Sequence, residues 1–202
     1  NKLQLLAGRL SAQRRAAAKD IEAAVEKELA YLNLEKTTFV VSITPMEEGV
    51  FGENGADEVA FLISTNPGEE PRPLSKIVSG GELSRIMLAL KAILGRQDGV
   101  GTVIFDEIDA GVSGSSAEKI GRKLKELSKD RQVLCITHLA QIACLADHHL
   151  LIQKSVQGER TLTDVIELSQ DGRVAELARL LSGEVVTQAA LDHARQLLGG
   201  AI

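Results

Sequence analysis

Ser79, Gly80 and Gly81 stand directly before a stretch whose apolar residues recur at helical spacing. Ser79 and Glu82 have the spacing of a capping box, in which the two side chains satisfy backbone N–H groups at a helix start. The same residues could bind an anion instead. Glycines let backbone N–H groups approach a phosphate closely, and a helix start carries a partial positive charge. Taken alone, the stretch favours the cap, because capping boxes are common.

An acidic pair, Asp106 and Glu107, directly follows the apolar run TVIF. In sheets of parallel strands, ligands bind beyond the carboxyl ends of the strands. An aspartate at that position can hold Mg²⁺, commonly through water, and the adjacent glutamate could position or deprotonate a water molecule. The alternative is an acidic pair that merely ends a strand on the surface.

Two further features follow the acidic pair along the chain. The segment DAGVSG, residues 109–114, contains two glycines and Ser113, and by itself it is equally an ordinary strand-to-helix turn. His138 follows the apolar run of residues 131–137 and could donate a hydrogen bond to a phosphate oxygen. Its alternative role is that of a partly buried, helix-capping histidine.

The first half of the chain supplies elements around the serine-glycine stretch. Residues 1–33 are rich in helix formers with an interrupted heptad pattern, which predicts one long helix, either a coiled-coil arm or a surface helix. Residues 37–45 and 58–68 have the β-branched, alternating character of two strands that pair as a hairpin.

In the second half, strands alternate with helices. Continuous apolar runs at 100–109 and 131–138 predict buried parallel strands, and alternation with helices predicts a mostly parallel sheet. The remaining predicted elements are a helix at 115–130 capped by Ser115 or Ser116, a short helix at 139–147, a strand pair at 148–156 and 160–169, and closing helices at 171–182 and 186–198.

The composition restricts the partners. The 202 residues carry a formal net charge of −5 and only 2% aromatic residues, so nucleic-acid contact would need a local basic patch and would not rest on base stacking. The basic residues Lys119, Arg122, Lys123 and Lys125 share one predicted helix, where a solvated face is favoured over a DNA surface.

Cys135 and Cys144 have no metal or disulfide spacing, and we expect them to be reduced core residues of a cytoplasmic protein. The first residue is not methionine, which favours a piece of a longer chain.

Taken together and in order, these motifs resemble the C-terminal half of an ABC-type ATPase head. VSGGE is similar to the signature motif, TVIFDE to Walker B, DAGVSG to the D-loop, and His138 to the switch histidine. A closer resemblance, from about residue 35 to the end, is to the RecN family of bacterial SMC-like DNA-repair ATPases. It is carried by FLISTNPGEEPRPLSKIVSGGELSRIMLALKAIL, VIFDEIDAGVSG, ITHLAQIACLADHHLLIQK and ELARLLSGEVVTQAALDHARQLL. The D-loop departs from the SALD of transporters, which favours the RecN family.

This resemblance implies the C-terminal lobe of an ABC/SMC-type P-loop NTPase head, an α/β fold with a preceding β-hairpin and a long N-terminal helix. Residues 1–33 would end a coiled-coil arm, and residues 34–202 would form the lobe. No G-x-x-x-x-G-K-[ST] motif is present, so the Walker A loop would lie in the N-terminal half of the same polypeptide.

The resemblance also assigns roles. ATP would lie between the Walker A loop of one head and Ser79, Gly80, Gly81 and Glu82 of a second copy. Asp106 would help to hold Mg²⁺, Glu107 would polarise the attacking water, and His138 and Ser113 would sense the γ-phosphate and the dimer.

The implied activity is ATP hydrolysis by the full-length dimer in recombinational repair of DNA double-strand breaks. The protein would be cytoplasmic and nucleoid-associated, with DNA and no membrane among its partners. This chain alone should be inactive, since it lacks the phosphate cradle. The alternatives are an ABC ATPase of a transporter and a catalytically inactive, ABC-like scaffold domain.

Overall fold

The structure, a computed structural model, describes residues 2–76, 79–157 and 160–200. The chain divides into two compact units, Asn1–Asp98 and Gly99–Ile202. We call them the first and the second unit and describe each by itself. The boundary predicted at residue 33, between arm and lobe, stays a prediction.

The first unit consists of a long helix, a small antiparallel sheet and a second helix. Its elements are α1 (Lys2–Tyr31), β1 (Thr38–Pro45), β2 (Asp57–Ser64), β3 (Arg72–Pro73) and α2 (Gly80–Leu94), with short 3-10 turns at Leu74–Lys76 and Gly95–Asp98. The sheet order is β1-β2-β3, and the β1–β2 hairpin pairs Thr38 with Ser64 and Pro45 with Asp57. Both the long helix and the hairpin match the predictions from periodicity.

The apolar faces of α1, β1 and α2 meet in the core of the first unit. Val25 and Leu29 of α1, Phe39 of β1 and Ile86 and Leu88 of α2 are almost fully buried. Helix α1 also covers the free edge of β1, since the carboxylates of Glu22 and Glu26 accept the backbone N–H groups of Val41 and Phe39 at 2.8 and 3.2 Å. Such cover satisfies backbone donors that an open sheet edge would leave exposed.

The second unit places a parallel strand pair beside a helical core. Its elements are β4 (Thr102–Phe105), α3 (Ser115–Leu127), β5 (Gln132–Cys135), α4 (Ala140–Ala143), β6 (Leu150–Gln157), β7 (Arg160–Glu167), α5 (Gln170–Ser182) and α6 (Gln188–Gly199). β4 and β5 pair in parallel, and β6 and β7 form an antiparallel hairpin. Small residues of α4 and α6 pack with Leu177 and Ala178 of α5 in one cluster. The predicted element order and the α/β class are confirmed, with parallel pairing confined, among the described residues, to β4 and β5.

Two local predictions were wrong. The cap of α3 is neither Ser115 nor Ser116, because the helix already begins at Ser115 and the N-cap residue is Gly114, which offers no side-chain hydrogen bond. Gly111 and Gly114 both have positive φ, at 70° and 55°, so the chain turns into the helix through conformations that glycine tolerates best.

The second correction concerns burial of the parallel strands. The apolar runs predicted strands covered on both faces, yet Ile104 and Leu134 are 66% and 40% exposed. Phe105, which points to the opposite face of β4, is buried. One face of the β4–β5 pair is therefore open in the described part of the chain, although parallel sheets are normally covered on both faces.

Candidate functional site

Helix α2 begins at the predicted serine-glycine stretch. Ser79 is the N-cap residue, and its hydroxyl accepts the backbone N–H of Glu82 at 3.4 Å. The serine cap that the sequence predicts is thus present, although this hydrogen bond is long. Ser79 and Gly80 are exposed, whereas Gly81 is buried. Val78, the first residue of the VSGGE motif, lies outside the described residues.

A groove of about 260 Å³ borders this helix start. Ser79 and Glu82 line it together with Arg72 of β3, Lys76 of the 3-10 turn that follows, and the acidic residues Glu69 and Glu70. An exposed hydroxyl, a helix N-terminus and two basic side chains suit an anion, while the carboxylates oppose one. The stretch remains compatible with both of its predicted roles.

The acidic pair lies where β4 ends. The carboxylate of Asp106 accepts the backbone N–H of Glu107 at 2.9 Å, and both residues are exposed. Glu107 has φ of 56°, in the left-handed region that costs a non-glycine residue about 1–2 kcal/mol. Its carbonyl accepts the N–H of Ala110 at 2.9 Å, which closes a turn. Backbone strain of this kind concentrates at functional sites, so the conformation of Glu107 supports a role for its side chain.

His138 lies at the same edge of the sheet. Phe105 pairs with Cys135, and the N–H of Ile136 donates to the carbonyl of Phe105 at 2.9 Å. The two strands therefore end side by side, which places Asp106, Glu107 and His138 beyond their carboxyl ends. The side chain of His138 is 73% exposed. The structure thus places the predicted acidic pair and the predicted histidine at the same edge of the β4–β5 pair.

Ser113 lies in the loop that leaves this edge. The N–H of Val112 donates to the carbonyl of Asp109 at 3.1 Å, and the N–H of Ser116 donates to the carbonyl of Ser113 at 3.3 Å. Ser113 is exposed in this loop before α3. Ser79, Gly80, Gly81 and Glu82 belong to the first unit, whereas Asp106, Glu107, Ser113 and His138 belong to the second.

Sequence reasoning missed the role of Asp109. This residue is 4% exposed, and one oxygen of its carboxylate accepts the hydroxyl of Thr137 at 2.5 Å and the backbone N–H of His138 at 2.9 Å. The same oxygen is 3.1 Å from Nδ1 of His138. The sequence offered one signal of a buried aspartate. Asp109 follows the apolar Ile108 within DEID, so its carboxylate need not face solvent.

The described residues were compared with the requirements of a metal site and of a reactive thiol. The described residues contain no group of three or more His, Cys, Asp or Glu side chains that could hold a metal ion. Cys135 and Cys144 are free cysteines. Burial, with smaller contributions from the carboxylates of Asp109 and Asp106, raises the pKa of the Cys135 thiol to about 12. The thiol is therefore protonated at neutral pH and a poor nucleophile.

The basic residues of α3 are largely paired with carboxylates. Ion pairs join Arg122 to Glu118 at 2.6 Å, Lys123 to Glu126 at 2.9 Å, and Lys125 to Asp147. Such pairing fits the solvated-face interpretation, because neighbouring acids reduce the attraction for phosphates. No helix within the described ranges is both long and apolar enough to cross a bilayer.

The chain is similar in sequence to DNA repair proteins named RecN. It is 44% identical to that of Halalkalibacterium halodurans over 198 residues, 97% of this chain and 35% of that protein. It is 47% identical to that of Treponema pallidum and 43% identical to that of Bacillus subtilis, over 96% and 95% of this chain. The chain spans about a third of the length of these curated relatives (35% and 36% for the latter two). No family model matches it.

Solved structures of SMC heads share the fold. One SMC ATPase, studied for ATP-driven dimerization and DNA-stimulated activation, has a TM-score of 0.50 at 18% identity and covers 87% of this chain and 99% of its own. The Smc head domain of Pyrococcus yayanosii, solved with a coiled coil and joint, has a TM-score of 0.54 at 21% identity, covering 82% of this chain and 29% of its own. These likenesses confirm the predicted fold of an SMC-type ATPase head.

Proposed function

We propose that this chain, which is similar in sequence to RecN proteins, supplies the signature and Walker B part of an SMC-like ATPase head that acts in recombinational repair of DNA double-strand breaks. The full polypeptide would hydrolyse ATP as a dimer of heads. It would work in the cytoplasm, associated with the nucleoid, and DNA would be among its partners.

The observation that carries the proposal is the common edge of β4 and β5. Asp106 and Glu107 end one strand and His138 ends its parallel neighbour, so three groups suited to phosphate chemistry meet at one end of the sheet. Phosphoryl transfer depends mainly on positioning and on neutralisation of charge, which fixed side chains at a sheet edge can provide.

Each of these side chains fits a distinct part of the reaction. Asp106 is an exposed carboxylate, and Mg²⁺ prefers oxygen ligands and retains much of its water, so this single carboxylate would hold the ion together with water and phosphate oxygens. When bound, Mg²⁺ neutralises charge on the phosphates. The carboxylate of Glu107 would orient the attacking water and accept its proton, and His138 would contact the γ-phosphate.

The signature residues would act on a second copy of the protein. Ser79 and Gly80 are exposed at the start of the 15-residue helix α2, so their polar groups would be accessible to a phosphate held by the other head. Gly81 would allow close approach of the backbone, and Glu82 would fix the helix start. Ser113, in the exposed loop before α3, would respond to the presence of the second head. Hydrolysis would then require association of two heads.

The Walker A loop would come from the N-terminal half of the same polypeptide. The exposed side chains of Ile104, Leu134 and Ile136 support this part of the proposal, because the open face of a parallel strand pair calls for cover. The exposed residues Leu3, Leu6 and Leu10 of α1 likewise support a coiled-coil arm at residues 1–33, since their spacing of three and four residues is that of a heptad seam.

The test is the Glu107→Gln variant of the full-length protein. Glutamine keeps the size of the side chain but cannot accept the proton of the water, so we expect ATP-bound dimers to accumulate and turnover to become very slow. Dimers are measured by size-exclusion chromatography with light scattering, and turnover by phosphate release. The matched control is Glu118→Gln, which removes an exposed carboxylate of α3 that is paired with Arg122. Turnover of Glu107→Gln equal to that of the control would refute the role of Glu107.

The isolated chain provides a second test. Without a phosphate cradle it should hydrolyse no ATP, even though the carboxylates of Asp106 and Glu107 are present. Turnover by the purified chain that disappears in its own Glu107→Gln variant would contradict the proposed division of the head between two parts of the polypeptide.

A further inference from the structure

The carboxylate of Asp109 holds together two segments that approach the proposed ATPase site from different strands. Asp109 follows β4, whereas Thr137 and His138 follow β5. One carboxylate oxygen accepts the Thr137 hydroxyl at 2.5 Å and the His138 backbone N–H at 2.9 Å. In turn, the Thr137 hydroxyl oxygen accepts the N–H of Leu139 at 3.1 Å. The backbone on both sides of the His138 ring is therefore fixed.

The ring itself also faces this carboxylate. Nδ1 of His138 is 3.1 Å from the same oxygen of Asp109. An unprotonated Nδ1 would place its lone pair near a negative oxygen, which is repulsive, whereas a proton on Nδ1 is attracted to that oxygen. The 3.1 Å contact therefore favours the neutral tautomer that carries its proton on Nδ1. Nε2 is then the nitrogen left for a ligand, and the side chain is 73% exposed.

Asp109 connects the histidine to the loop as well. Its carbonyl accepts the N–H of Val112 at 3.1 Å, within the turn that leads to Ser113. Because the residue is 4% exposed, water competes little for its carboxylate, and the hydrogen bonds gain strength from the low local dielectric. A displacement of this loop would therefore pull on the group that orients the ring.

We propose that Asp109 is a positioning residue that fixes the tautomer and direction of His138 and links them to the loop carrying Ser113. The proposal rests on the proposed function, since it gives His138 a contact with phosphate. An acidic side chain that orients an imidazole through its other nitrogen is well known for metal-bound histidines, where its loss typically costs about 10–100-fold in metal affinity or activity.

The first test detects the tautomer in this chain without ATP. Long-range ¹H–¹⁵N spectra of histidine rings, recorded above about pH 8 where an ordinary imidazole is neutral, distinguish protonated from unprotonated nitrogens. We expect the proton of His138 on Nδ1, and the mixed tautomers of an unconstrained ring in Asp109→Ala. The His138→Ala variant assigns the signals. His148, whose Nδ1 is 2.9 Å from the exposed carboxylate of Glu167, is an internal control that should not change.

The second test is a double-mutant cycle on ATP turnover by the full-length protein. Asp109→Asn keeps the side-chain shape and should lower kcat about 10–100-fold with little change in KM for ATP. In a His138→Ala background the same substitution should have no further effect, because a positioning residue acts only through the group it positions. Asp192→Asn, which alters an exposed carboxylate of α6, is the matched control.

Several results would overturn the inference. They are a proton on Nε2 of His138 in the wild type, a tautomer unchanged in Asp109→Ala, and equal losses of kcat from Asp109→Asn with and without His138. Failure of the proposed function has a different signature, namely absence of ATP turnover in the wild-type full-length protein. In that case the spectra still decide whether Asp109 fixes the ring.

Discussion

Helices α3 and α4 approach each other at Gly121, and this contact defines a sharp mutational test. A Cβ atom added at Gly121 would lie 2.6 Å from Cδ1 of Leu145, 3.2 Å from the carbonyl oxygen of Gln141 and 3.3 Å from Cα of Ile142. The leucine methyl can rotate away, but the other two atoms belong to the backbone of α4. Gly121→Ala therefore forces α4 to move by a few tenths of an ångström.

The magnitude follows from two opposing effects. Alanine in a helix interior is favoured over glycine by about 1 kcal/mol. Overpacking of a close contact costs about 1–3 kcal/mol. The expected net result for Gly121→Ala is a destabilisation of about 1 kcal/mol. Gly8 in α1 is the matched control, because an added Cβ there meets no atom within 4 Å. Gly8→Ala should be stabilising by about 1 kcal/mol from helix propensity alone.

Urea denaturation followed by far-UV circular dichroism measures both variants. Since one kcal/mol shifts the melting temperature of a chain of this size by about 2–4 °C, thermal melts provide an independent readout. The reasoning is refuted if Gly121→Ala is stabilised as much as Gly8→Ala, because α4 would then yield without cost. Helix α4 begins at Ala140, two residues after His138. We therefore also expect the histidine ring signals to shift in Gly121→Ala and not in Gly8→Ala.

Three further predictions concern charge, thiols and the open sheet face. The hydrogen bond from Ser11, helped by Arg14 and opposed by burial, lowers the pKa of Asp57. The ionised Asp57 carboxylate contributes fully to stability above the unfolded-state pKa of about 3.9, and this contribution is lost as the pH falls through the lower pKa of the folded state. In urea melts Asp57→Asn should therefore be less stable than wild type at neutral pH, and a gap that persists at the acid end of the profile would contradict the assignment. Because burial raises the pKa of both thiols, a thiol reagent at pH 8 should modify native Cys135 and Cys144 far more slowly than in urea, and equal rates would be inconsistent with their burial. Ile104→Glu should change the stability of this chain by less than about 0.5 kcal/mol but reduce the stability and ATP turnover of the full-length protein, where the face would be covered. The control Val165→Glu, at an exposed position of β7, should not, and full-length Ile104→Glu behaving like that control would refute cover of the open face.

Hydrophobic periodicity and the positions of the strand ends were enough to predict much of the fold and of the site. The helical spacing after Ser79 gave α2, and the alternating residues 37–45 gave β1, because side-chain direction repeats every 3.6 residues in a helix and every two in a strand. The meeting of Asp106 and Glu107 with His138 followed from a general property of parallel strands, whose carboxyl ends share one edge.

Other features depend on contacts that no local pattern encodes. The two apolar runs indicated that β4 and β5 need cover on both faces, but such a run does not identify the segment that provides it. The cap of α3 depends on backbone conformations at Gly111 and Gly114, which glycine permits but does not require. Asp109 looked like part of an acidic, turn-forming segment, and only its distance to Thr137 and His138 distinguishes it from a solvated carboxylate.

The open face and the ordered edge of the β4–β5 pair are physically separable. Phe105 is buried on the covered face, and the hydrogen bonds of Asp109 are made beyond the strand ends. Neither depends on an atom that would cover Ile104. The His138 ring should therefore be oriented in this chain before a second head, a nucleotide or a covering segment is present. Such preorganisation matters for catalysis, because a group already in place needs no rearrangement when charge develops. The tautomer of His138 in the isolated chain is thus a direct measure of how much of the proposed site is built into this part of the sequence.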